Sequence, residues 1–89
     1  MKTYVVERDL PAVGAFAPAE LREAARASNA ALAALAPRVQ WQHSWVAGDK
    51  TFCVYLAEDE EAIREHAALR GFPATTITPI TARIDPSWG

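Results

Sequence analysis

The stretch from Val39 to Leu56, V-Q-W-Q-H-S-W-V-A-G-D-K-T-F-C-V-Y-L, constrains the fold of this chain more than any other. Val39, Trp41, His43 and Trp45 alternate with Gln40, Gln42 and Ser44, and Phe52, Val54 and Leu56 alternate with Thr51, Cys53 and Tyr55. That period of two is the signature of half-buried strands. Gly48-Asp49 between them is a two-residue turn with glycine first, so the stretch reads as a β-hairpin. The turn pairs Ala47 with Lys50, and therefore Trp45 with Phe52, His43 with Val54 and Trp41 with Leu56. The large apolar residues then share one face, which supports the register independently of the turn. That face is expected to be the core, with Trp41 and Trp45 buried in it. The other face is expected to carry Gln40, Gln42, Ser44, Val46, Thr51, Cys53 and Tyr55.

The flanking segments complete a pattern. Thr3 to Arg8 reads as a strand because Tyr4, Val5 and Val6 have high β propensity; its inward set is either Tyr4/Val6/Arg8 or Thr3/Val5/Glu7. Asp9 to Ala17, with Pro11 and Gly14, is a longer loop than most, either a packed surface connection or a lid over a pocket. Pro18 to Leu35 is predicted as a helix, with Pro18 at its first position and Phe16 and Leu21 stapling a start at Ala17. Its apolar stripe is Leu21, Ala24, Ala25, Ser28, Leu32 and Leu35. Glu58 to Arg70 is a second helix, with acidic residues in its first turn, a Glu60–Arg64 pair, and Ala62, Ile63, His66, Ala67 and Leu69 facing inward. Gly71 caps it, with Phe72 as the accompanying contact and Pro73 as the stop. Ile77 to Ile84 is the last strand.

The order β-α-β-β-α-β is that of an α+β, ferredoxin-like domain. Right-handed crossovers put two helices on one face of a four-stranded antiparallel sheet, in the order 4-1-3-2. The uncovered face, with Thr81 and Arg83 added to the hairpin's outer set, is too apolar for full exposure. A sheet-to-sheet homodimer is therefore expected.

Eighty-nine residues make one domain, 1–89. A formal net charge of −2 and the absence of a basic run argue against nucleic acid as a partner. No apolar run approaches the roughly 20 residues of a membrane span. A single cysteine and an early charge at the N-terminus point to the cytoplasm.

No phosphate loop, H-x-x-x-H, C-x-x-C or nucleophile-elbow motif occurs in the chain. Individual residues are left. His43, on a strand, and His66, on the inward side of a helix, are each either a hydrogen-bonded core residue or a metal ligand or general base. Their convergence depends on twist and tilt. Cys53 is either a small buried hydrophobe or a third ligand; in this register it faces away from His43, whereas a three-residue loop, Gly48-Asp49-Lys50, puts both on one face. Glu7 is a fourth candidate, with Arg83 as its expected ion-pair partner.

Taken together, V-E-R-D-L-P (Val6 to Pro11), W-Q-H-S-W-V-A-G-D-K-T-F-C-V-Y-L-A (Trp41 to Ala57), E-E-A-I-R-E-H-A (Glu60 to Ala67), G-F-P-A (Gly71 to Ala74) and I-D-P (Ile84 to Pro86) resemble a bacterial family of small ferredoxin-like domains of unknown function. Some of its members are labelled nickel-binding proteins. The resemblance implies a dimer and binding of a divalent transition metal, nickel or zinc, at His43, His66 and, less firmly, Cys53. Imidazole serves nickel, zinc and copper alike, so ligand type does not choose among them. Two functions of different kind follow. One is a small dimeric metal-binding protein for storage, sensing or delivery. The other is a cofactor-independent enzyme, of monooxygenase or isomerase type, working in the cleft between sheet and helices with a histidine as base. Against both stands a purely structural or interaction module.

Overall fold

The computed structural model describes residues 1–71 and 76–89. Its elements are β1 (Lys2–Asp9), α1 (Pro18–Leu35), β2 (Val39–Ala47), β3 (Lys50–Ala57), α2 (Glu60–Arg70) and β4 (Thr76–Pro79), with 3-10 turns at Val13–Ala15 and Pro86–Trp88. The sheet order is β2-β3-β1-β4, and every neighbouring pair is antiparallel. This is the ferredoxin-like arrangement that the order of elements predicts.

Local chemistry sets the element ends. Ala17 caps α1 with Pro18 at the first position, and the Glu20 carboxylate accepts the Ala17 N–H at 3.0 Å. The Asp59 carboxylate accepts the Ala62 N–H at 2.9 Å, which starts α2 at Glu60, two residues later than expected. Arg64 meets Glu60 at 3.2 Å, one turn away. Gly71 ends the helix at a φ of 72°, where a side chain would be strained. Phe72 and Pro73 lie outside the described residues. Arg38, just before β2, ties that strand to α2 through Glu65 at 2.9 Å and to the end of β3 through Glu58 at 3.2 Å.

The covered face of the sheet differs from the expectation. The buried residues of β1 are Tyr4, Val6 and Arg8, and those of β3 are Thr51, Cys53, Tyr55 and Ala57. They pack with Leu35 of α1 and with Ala62 and Ile63 of α2. Phe52, Val54 and Leu56, read as core, are only half-buried on the opposite, open face, and Trp45 there is 65% exposed. Both sets of hairpin residues contain enough apolar surface to be a core, so alternation separates the sets without ranking them. The set chosen is mostly small. Thr51, Cys53 and Ala57 let alanine-rich helices approach closely, and Tyr55 fills the remaining space.

A second difference lies within β2. Ala47↔Lys50, Trp45↔Phe52 and His43↔Val54 pair as expected, but Trp41 pairs with Tyr55 rather than Leu56. A β-bulge between Trp41 and His43 makes Gln42 the extra residue. A bulge exchanges the faces on either side of it. Val39 and Trp41 therefore join the covered side, while His43 and Trp45 stay on the open side. The Trp41 indole N–H donates to Ser44 Oγ at 2.9 Å across the bulge.

The last strand is also shorter than Ile77 to Ile84. Ile80 N–H donates to Thr3 O at 2.8 Å, after which the chain leaves the sheet edge. Residues 80–84 then line a shallow groove on the open face with Thr3, His43, Trp45 and Val54. Arg83 meets Asp85 at 3.5 Å rather than Glu7. Leu69, read as inward on α2, is 59% exposed.

Candidate functional site

His43 projects from the bulged strand onto the open face, where it is exposed. Its ring stands edge-on to that of Trp45, with centroids 5.7 Å apart and planes at 79°. The two residues are i and i+2 on one strand, so the pleat puts them side by side.

His66 lies on the other side of the sheet. It is fully buried on α2, and its ring meets the Tyr55 ring edge-on at 5.4 Å. Cys53 is also on the covered side, with its thiol 3.8 Å from Thr51 Oγ1. The sheet thus separates His43 from both His66 and Cys53, and the structure does not bring these candidate ligands together within one chain. Glu7 is half-buried on the open face, beside Phe52 rather than beside His43. Among the described residues, no group of three His, Cys, Asp or Glu side chains is placed to hold a metal ion.

The covered side carries a different feature. A cavity of about 230 Å³ lies between α1, the loop after β1 and the β2–β3 end of the sheet. Phe16, Leu21 and Ala25 wall it from the loop and helix, and Trp41, Thr51 and Cys53 from the sheet. The loop is at once a packed connection and one wall of this cavity. Arg8 lines it too, although its side chain is almost wholly buried at 4% exposure. The guanidinium Nη1 stands 3.5 Å from the Tyr55 hydroxyl, and its carbon lies 5.7 Å from the centre of the Tyr55 ring. Burial pushes the Tyr55 phenol up to about 12, against the opposing pull of the Arg8 charge. Tyr55 is therefore neutral at physiological pH.

Arg8 and Trp41 are not among the candidate site residues that the sequence suggests, although it places Trp41 in the core and Arg8 in one of two possible inward sets. The alternation Tyr4/Val6/Arg8 held a signal for Arg8, because a charge in register with two core residues is unusual. The position of Trp41 depends on the bulge and has no comparable signal. Neither histidine lines the cavity, so the base expected for an enzyme of the cleft is not supplied by His43 or His66.

Against known families, the profile described as "Nickel responsive protein SCO4226-like" matches residues 4–80. The chain belongs to this family. Family membership spans β1 through β4 and so takes in His43, Cys53 and His66. Among solved structures, the fold is similar to the crystal structure of SCO4226 from Streptomyces coelicolor A3(2), with a TM-score of 0.76 at 15% identity. The match covers 92% of this chain and 99% of that one. At that identity the likeness speaks for the ferredoxin-like fold alone. No curated protein matches the sequence significantly. No helix among the described residues is long and apolar enough to cross a membrane.

Proposed function

We propose that this member of the nickel responsive family is a homodimeric binding protein for a divalent transition metal of the nickel type, with a role in storage, sensing or delivery. The metal is its cargo, and His43 is the ligand. One observation carries this reading: an exposed imidazole stands on the edge strand of the largely apolar sheet face that no helix covers. Val5, Phe52, Val54 and Leu56 are half-buried on that face, and Trp45 is exposed beside the imidazole. An uncovered apolar face of this extent fits a protein interface.

The fit of a metal is partial in one chain. A neutral imidazole with open space around it can accept a metal, but one donor is not a site. Pairing two copies through the open faces supplies further donors, and the shortage in each chain is what a shared site would relieve. His66 and Cys53 meet the requirement less well, being buried on the covered side. A metal there would have to displace core packing.

The test is calorimetric titration of untagged protein with nickel and with zinc, comparing wild type, His43→Ala and His66→Ala, alongside sedimentation of the same samples. The expected result is a dimer that binds metal, with loss of binding in His43→Ala. Retention of full affinity in His43→Ala would remove His43 as the ligand. A wild type that sediments as a monomer at high concentration would remove the shared site.

A further inference from the structure

Arg8 is the one cation of the described residues that is buried. Burying a guanidinium is costly unless an anion accompanies it. None of the ion pairs among the described residues involves Arg8; the cations in them are Arg26, Arg38, Lys50, Arg64 and Arg83. Its near neighbour Tyr55 offers a hydroxyl and a ring face, and the phenol stays protonated. The counter-charge is therefore not provided by these neighbours.

Arg8 also lines a cavity whose other walls are mainly apolar or aromatic. Exposed Leu21 and Val46 belong to the lining, so the space reaches the surface. The volume, about 230 Å³, limits the occupant. An apolar cavity of ~150 Å³ holds a benzene ring, so a single ring with a one-carbon acidic substituent fits here, and a nucleotide does not. A planar guanidinium matches a carboxylate with two parallel N–H···O bonds. The indole of Trp41 and the ring of Phe16 supply flat apolar surface for the body of such a ligand.

We propose that the cavity between α1 and the sheet is a binding site for a small aromatic carboxylate of the benzoate class, with the carboxylate on Arg8 and the ring between α1 and Trp41. This site is on the opposite side of the sheet from His43 and is independent of the metal reading. Its anion neutralises the buried charge, and its ring fills space that the helix leaves open.

The test uses the untagged full chain, titrated by NMR or calorimetry with benzoate, benzyl alcohol and sulfate. Benzoate is expected to saturate, with benzyl alcohol and sulfate each weaker by about tenfold or more, because each offers only one half of the recognition. Arg8→Met keeps the length of the stem and removes the charge, and should abolish the preference for benzoate over benzyl alcohol. Ala25→Leu fills the cavity from the helix side with Arg8 intact, and should block benzoate even where Arg8→Met fails to fold. Wild type that shows no saturation by benzoate at ~10 mM, a level at which even a weak site fills, would overturn the proposal. So would benzoate binding unchanged in Ala25→Leu, or sulfate binding as tightly as benzoate.

Discussion

The backbone N–H of Gly14 donates to the carbonyl of Gly48 at 2.7 Å, and a Cβ on Gly14 would stand 2.7 Å from that same oxygen. The loop after β1 is thus held against the hairpin turn at a distance that only glycine allows. Asp49 holds it from two more sides, with its carbonyl accepting Leu10 N–H at 2.8 Å and its carboxylate accepting Ala12 N–H at 2.8 Å. Docking the loop here carries Val13 into the interior and Phe16 to the cavity wall.

Gly14→Ala should therefore destabilise the protein by about 1–3 kcal/mol, since backbone faces the new methyl and must move. Urea denaturation with an unchanged m-value measures this. A midpoint equal to wild type would mean that the loop is not docked as described.

The two faces of the sheet predict opposite outcomes for two aromatic substitutions, one on β3 and one on β2. Tyr55 is 2% exposed in the core, so Tyr55→Glu should prevent folding, as an unpaired charge in a packed interior does. Trp45 is on the open face, so Trp45→Glu should keep the fold and abolish the proposed dimer. Far-UV circular dichroism and sedimentation of both variants check the pair. A folded Tyr55→Glu would place Tyr55 at the surface.

Ile63 is fully buried between α2 and the sheet. Truncation to alanine should cost about 2–5 kcal/mol through lost burial and a cavity. Chemical denaturation of Ile63→Ala reports it, and a loss well under 1 kcal/mol would contradict the packing of α2.

Tyr55 makes the protein sensitive to alkali. Its phenol titrates at about 12 when folded, against about 10 in an unfolded chain. The folded state holds this proton more tightly, so its contribution is fully present below pH ~10 and is lost as pH rises towards ~12. The loss is on the order of 2–3 kcal/mol. Denaturation of wild type and Tyr55→Phe across this window should show a steeper fall for wild type. Parallel curves would deny the shift.

The proposed metal site carries its own pH dependence. Ligation needs a neutral imidazole, so nickel affinity should fall on acidification. Titrations at about pH 7.5 and about pH 5.5 measure it. Equal affinity at both would point away from histidine ligands.

The sequence by itself determined the elements and their order. Pro18 and Ala17, Asp59, Gly48 and Gly71 act through local backbone chemistry, which a linear reading captures within a residue or two. The hairpin turn fixed its own nearest pairs for the same reason, and the β-α-β-β-α-β order with right-handed crossovers left one strand order. Tertiary structure decided which face of the sheet the helices cover. Phe52/Val54/Leu56 and Cys53/Tyr55/Ala57 are both apolar enough to be a core, and the choice rests on how closely the helices approach and on a bulge at Gln42. That one extra residue separates Trp41 from Trp45, while the choice of covered face leaves His43 on the far side of the sheet from His66. It also lets Trp41 and Arg8 meet around one cavity, a juxtaposition made of residues 33 positions apart that no local pattern announces.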